Sequence, residues 1–159
     1  MEKILLTIII IGLMSCNENS KYNVTSINSG TSSDKELSRS ILQQGDSSAY
    51  YELSMQYLDY GYEHFLPYSL IMANKYNYPQ AYFDVYDCLL LLYGSEPKDI
   101  CLLDSVTQKI AIEYLKKASS EGHSQARSIL GEYYLEGIYF EKDTLLGNLL
   151  VEEAENLPY

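Results

Sequence analysis

The chain has 159 residues, 47% of them hydrophobic and 13% aromatic, and a formal charge of −11. A surface this acidic repels phosphate backbones and anionic lipid headgroups, so nucleic-acid binding is disfavoured, as is attachment to a bilayer by charge alone. The length suits a single domain with a modest core.

The first element is Met1-Glu2-Lys3 followed by an apolar run from Ile4 to Met14. A membrane span needs about 20 apolar residues, so the run is too short for one; its length fits the apolar core of a secretory leader. Leu13-Met14-Ser15-Cys16 then resembles the lipobox of bacterial lipoproteins: an aliphatic residue, a tolerant position, a small residue and a cysteine. The alternative is an ordinary secretory leader that carries a cysteine. The resemblance implies loss of residues 1–15 and lipidation at Cys16, whose thiolate attacks the lipid donor. Several acyl chains at roughly 0.8 kcal/mol per buried methylene make such an anchor effectively permanent. The protein is then expected in the bacterial cell envelope, extracytoplasmic, and held to a membrane (the outer membrane is the expected one) through lipid only. From Asn17 to about Ser33 the chain is rich in Ser, Asn, Thr and Gly, so residues 16–33 read as a flexible tether.

Residues 34–159 form the expected folded domain. No segment shows sustained strand-like alternation. Helices are expected at 34–44, 47–60, 63–76, 79–93, 105–121, 124–136 and 142–156, with a break over Gly94-Ser95-Glu96-Pro97-Lys98-Asp99 that could hold a lid or only a loop. Three segments align on an alanine, at Ala49, Ala81 and Ala126, which are 32 and 45 residues apart. Each alanine has a Gly or Asn four residues before it and an aliphatic residue four after it. The Gly or Asn tolerates the left-handed backbone that ends one helix, Ser or Pro opens the next, and the alanine lets two backbones approach. Repeated helix pairs of this kind stack into a solenoid.

The C-terminal copy resembles the Sel-one-like repeat, a relative of the tetratricopeptide repeat. The resemblance rests on Ala126, Leu130, Gly131, Tyr134, Gly137, Asp143 and Ala154, with Ala111, Tyr114, Lys117, Ala118 and Gly122 matching the second-helix half of the preceding copy. Leu146, Gly147 and Leu150 depart from that pattern, which prefers Lys, Ala and an aromatic there. The earlier copies keep the alanine and the aliphatic position but lose the Leu-Gly pair. The resemblance implies an all-α fold, a short α/α superhelix of about three helix pairs, and a protein-binding role.

Counting from each repeat alanine, Ala49, Leu53 and Tyr57, Ala81, Val85 and Leu89, and Ala126, Leu130 and Tyr134 fall on one packed arc. Tyr51, Glu52 and Met55, then Phe83, Asp84 and Asp87, then Ser128, Ile129 and Glu132 point roughly the other way. A candidate partner-binding ridge is therefore Tyr51, Glu52, Phe83, Asp84, Asp87 and Glu132, suited to a basic peptide or protein. The competing reading is a solvated helix face with aromatics packed on neighbours. Eleven of the 17 tyrosines lie between Tyr50 and Tyr93, which fits either an interface or a core whose hydroxyls stay wet.

Cys88 and Cys101 could pair in an oxidising compartment, although Cys88 lies in an apolar helical run where a free thiol is equally reasonable. His64 and His123 have no metal-site spacing, and no cofactor motif occurs. Three functions remain. The first is a lipid-anchored, non-enzymatic interaction module. The second, a narrower form of it, is an immunity lipoprotein that neutralises a secreted antibacterial toxin. The third and least supported is an envelope hydrolase, whose carboxylate pair would be a matter of geometry and not of motif.

Overall fold

The computed structural model describes residues 32–156. The expected leader, the expected lipidation site at Cys16 and most of the expected tether lie outside them. Among the described residues seven α-helices follow one another: α1 (Ser32–Gln44), α2 (Ser47–Tyr60), α3 (Leu66–Tyr76), α4 (Pro79–Leu91), α5 (Ser105–Ser120), α6 (Ser124–Glu136) and α7 (Thr144–Glu155). Two 3-10 turns, Tyr62–Phe65 and Pro97–Leu102, lie between α2 and α3 and between α4 and α5. The described residues contain no strand, and the fold is all-α with helices packed on their sequence neighbours. No described helix is long and apolar enough to cross a membrane.

Local chemistry sets the helix ends. Gly45, Asn77 and Gly122, each four residues ahead of a repeat alanine, all have left-handed φ, at 68°, 52° and 90°. Ser47, Pro79 and Ser124 then occupy the first helical position of α2, α4 and α6. The caps themselves precede them. Asp46 Oδ1 accepts the Ser48 and Ala49 amides at 2.9 and 3.1 Å, and its Oδ2 accepts the Ser40 hydroxyl at 2.8 Å, which ties α1 to α2. Asp104 and Asp143 cap α5 and α7 in the same way.

The three repeat alanines are buried, as close helix packing requires. The packed arc follows: Leu53, Val85, Leu89 and Leu130 are buried, while Tyr57 and Tyr134 are half-buried against the core. At the C-terminal pair the approach is closer still. A Cβ on Gly131 of α6 would lie 2.9 Å from the Gly147 carbonyl oxygen of α7, and one on Gly147 would lie 2.9 Å from that of Gly131. Gly147, a departure from the Sel-like pattern, is thus the counterpart of Gly131 at a backbone-to-backbone crossing.

The break between α4 and α5 is not a free loop. Ile100 is fully buried, and the Asp99 carboxylate accepts the Ser95 and Glu96 amides at 3.1 and 3.0 Å. The Tyr133 hydroxyl donates to the Pro97 carbonyl at 2.6 Å, and the Tyr86 and Tyr133 hydroxyls lie 2.8 Å apart. The segment is fastened to α6 through a buried phenol pair. Cys88 is buried and Cys101 exposed, and both thiols are free.

Candidate functional site

The structure divides the six expected ridge residues. Tyr51 and Glu52 are exposed on α2, and Glu132 is exposed on α6. Asp87 is half-buried on α4. Phe83 and Asp84 are interior, at 6% and 4% exposure, so a ridge running through all three copies is corrected at its middle. The reason is position in the stack. α4 packs on α3, on α5 and on both 3-10 turns, so every side of the helix meets protein and repeat register no longer decides which side is wet.

Asp84 is instead the centre of a hydrogen-bonded chain that joins all three repeat copies. The Tyr50 hydroxyl of α2 donates to Asp84 Oδ2 at 2.6 Å and lies 3.1 Å from Ser69 Oγ of α3. Gln80 Nε2 donates to Asp84 Oδ1 at 2.9 Å. The Gln80 carbonyl oxygen lies 3.0 Å from His123 Nε2, while His123 Nδ1 accepts the Ala126 amide at 3.2 Å. Because Nδ1 accepts, the imidazole proton sits on Nε2 and is given to Gln80. His123 also stacks on Phe83, ring centroids 4.4 Å apart.

Burial raises the Asp84 carboxyl above the ordinary carboxylate range, partly offset by its bonds to Tyr50, Gln80 and Tyr62. Burial lowers the His123 imidazole. Tyr50→Phe should remove the 2.6 Å donor to Asp84 Oδ2 and cost about 1–3 kcal/mol. Asp84→Asn should cost less than half of that, because its amide can accept from Gln80 and donate to Tyr50, which then donates to Ser69. Urea denaturation of the two variants checks the order.

Asp87 stands one turn beyond Asp84, and burial followed by the Asp84 charge lifts it to about 6. Its ionisation is therefore resisted more in the folded chain than in the unfolded one. The stability it contributes is complete below about pH 4 and lost as the pH rises through 6. Asp87→Asn should accordingly flatten the stability profile between those values and stabilise the fold at pH 7; denaturation midpoints that move in parallel for both chains would contradict this. Burial first, then the charges of Asp87 and Glu132, push Tyr86 up to about 12, although its bond to Tyr133 opposes them. Asp87 and Glu132 are the two ridge residues that flank a common group. No set of three or more His, Cys, Asp or Glu side chains among the described residues could hold a metal ion.

A feature with outward reach is α2. One side, Ala49, Tyr50 and Leu53, is buried. The opposite side carries Tyr51, Met55 and Leu58, which are 66%, 48% and 59% exposed. At 100° per residue these three fall within about 60° of arc, with the exposed carboxylates Glu52 and Asp59 on one flank. The helices and turns that pack extensively on α2 are α1 and the Tyr62–Phe65 turn. Between Arg39 and Lys75 the chain holds four carboxylates, Asp46, Glu52, Asp59 and Glu63, and no Lys or Arg.

Ridge counting found Tyr51, Glu52 and Met55 but missed Leu58. It also missed Tyr50, Ser69, Gln80 and His123, because a polar chain across three helices leaves no periodic trace. A polar residue at each copy, next to or just ahead of the alanine (Tyr50, Gln80, His123), was the one available hint. No family model, no curated protein and no solved structure matches the chain.

Proposed function

We propose that the chain is a lipid-anchored protein-binding module of the bacterial cell envelope, built from Sel-one-like helix pairs, and that its partner is a basic protein or peptide. The observation that carries this reading is the exposed side of α2, where Tyr51, Met55 and Leu58 lie beside Glu52 and Asp59 in a stretch with no positive charge. Large apolar side chains gathered on a monomer surface and edged by charge of one sign are what protein interfaces use. Tyr51 can supply broad contact at little entropic cost. The lipobox at Cys16 supports the anchor, and acyl chains suit a chain whose net charge of −11 would repel anionic headgroups.

A photo-crosslinking residue placed at position 51 of the full chain, in producing cells, should yield one prominent adduct with a protein of basic isoelectric point. The same residue at Lys109, on α5, should not. No adduct at 51, 55 or 58 would remove the reading. The narrower possibility, neutralisation of a secreted toxin, is favoured by the same acidity, and the adduct's identity separates it from a general scaffold role.

A further inference from the structure

We propose that the occupant of the α2 face is a basic amphipathic helix, which packs an apolar stripe along Tyr51, Met55 and Leu58 and sets its Lys or Arg side chains against Glu52 and Asp59. The proposal rests on the protein-binding reading and names the chemistry of the partner. α2 and α4 are each apolar on opposite sides, and their fates differ. α4 has Ala81, Val85 and Leu89 on one side and Tyr82, Phe83 and Tyr86 on others, and all six are buried. Neighbouring helices and both 3-10 turns cover it. α2 has the same kind of composition, with Ala49, Tyr50 and Leu53 covered and Tyr51, Met55 and Leu58 bare. An apolar stripe on a helix ordinarily faces protein. A partner lying along α2 would complete for it what the chain itself completes for α4.

The spacing selects a helix as that partner. Tyr51, Met55 and Leu58 follow an i, i+4, i+7 row about 10 Å long, the register in which ridges of a second helix interdigitate and in which helix-in-groove recognition places its anchors. The charge selects its sign. Glu52 and Asp59 lie seven residues apart on one flank, so they form a two-point acidic edge parallel to the stripe. An opposing helix would meet it with cations two turns apart. Attraction along this edge orients the incoming helix and speeds its association, and the apolar contacts hold it.

The probe is a labelled 18-residue helix of Leu, Lys and Ala with Leu on one face and Lys beside it, titrated with the full chain and read by fluorescence anisotropy. The chain carrying Tyr51→Ser, Met55→Ser and Leu58→Ser together should bind at least ten-fold more weakly at an unchanged helical circular dichroism signal. Glu52→Gln with Asp59→Asn should weaken binding and reduce its salt dependence. A probe with Glu in place of Lys should not bind. Equal affinity for the native and triple-serine chains would overturn the proposal, because the attraction would then be charge alone. So would a dimer that dissociates on the triple substitution, which assigns the face to a second copy. If the cellular adduct at position 51 persists but comes from a partner surface that is not a basic helix, this proposal fails while the protein-binding reading stands. If no adduct forms, the reading fails too.

Discussion

Replacing Phe65 with alanine is expected to cost about 3–5 kcal/mol, a large share of the 5–15 kcal/mol that holds a domain folded. Phe65 is fully buried in the short turn between α2 and α3, and four tyrosines surround its ring, Tyr50, Tyr57, Tyr62 and Tyr68, at centroid distances of 4.8, 5.4, 5.6 and 5.6 Å. The turn packs on α2, α3 and α4, so the ring is what those three helices share. Losing it removes the transfer free energy of a phenyl group and leaves a space walled by large rings that cannot all move in. Urea denaturation of the full chain measures the loss. A cost below about 1 kcal/mol would mean that the tyrosines close the gap, against the close packing described for protein interiors.

The second large effect is at the crossing of α6 and α7. Alanine is the better helix former by about 1 kcal/mol, so Gly131→Ala in an uncrowded helix would stabilise. Here the added methyl meets Val151 Cγ2 at 2.8 Å and the Gly147 carbonyl oxygen at 2.9 Å. A backbone oxygen cannot turn aside as a side chain can, so α7 must shift as a body. We expect a net loss of about 1–3 kcal/mol. Asn148→Ala, on the exposed side of α7, supplies the control and should be neutral or slightly stabilising. If Gly131→Ala behaved like the control, the crossing would be looser than the Gly131–Gly147 approach indicates.

Most of the helical layout was legible because its determinants are local. Gly45, Asn77 and Gly122 mark left-handed turns, Ser47, Pro79 and Ser124 stand at first turns, and the alanine columns name the contact side. Errors of one to three residues occur at helix ends, as at Leu91 and Thr144 and at the helix expected from 63, which begins at Leu66 after the 3-10 turn Tyr62–Phe65. What a window of sequence could not give is the surroundings of a helix. Phe83 and Asp84 hold the same offsets from Ala81 as Tyr51 and Glu52 hold from Ala49, yet the first pair is interior and the second bare. α4 has neighbours before and after it in the stack, whereas only α1 among the described helices comes before α2. The 3-10 turn Pro97–Leu102 was hidden for a similar reason. Gly94, Pro97 and Asp99 read as a surface break, and the burial of Ile100 and the distant phenol of Tyr133, 36 residues on from Pro97, fix the segment in place. Gly147 looked like a lapse from the repeat pattern because its partner, Gly131, lies on another helix.

The tyrosines served both of the roles that the sequence left open. Tyr50, Tyr86 and Tyr133 are fully buried, and their hydroxyls bond to protein groups. Tyr51, Tyr60 and Tyr93 stand in solvent.

The chain of bonds from Tyr50 through Asp84 and Gln80 to His123 has a bearing on evolution as well as on folding. Arrays of like units ordinarily lengthen and shorten by duplicating or deleting a unit, since each touches only the next and any seam is much like another. A lacing whose first and last links belong to different units, and whose members differ in kind, offers no such seam. A unit spliced between Ala49 and Ala126 would part the phenol from the imidazole, taking either Tyr50 from Asp84 or His123 from Gln80. An added unit is therefore expected to cost the chain at least one of these links.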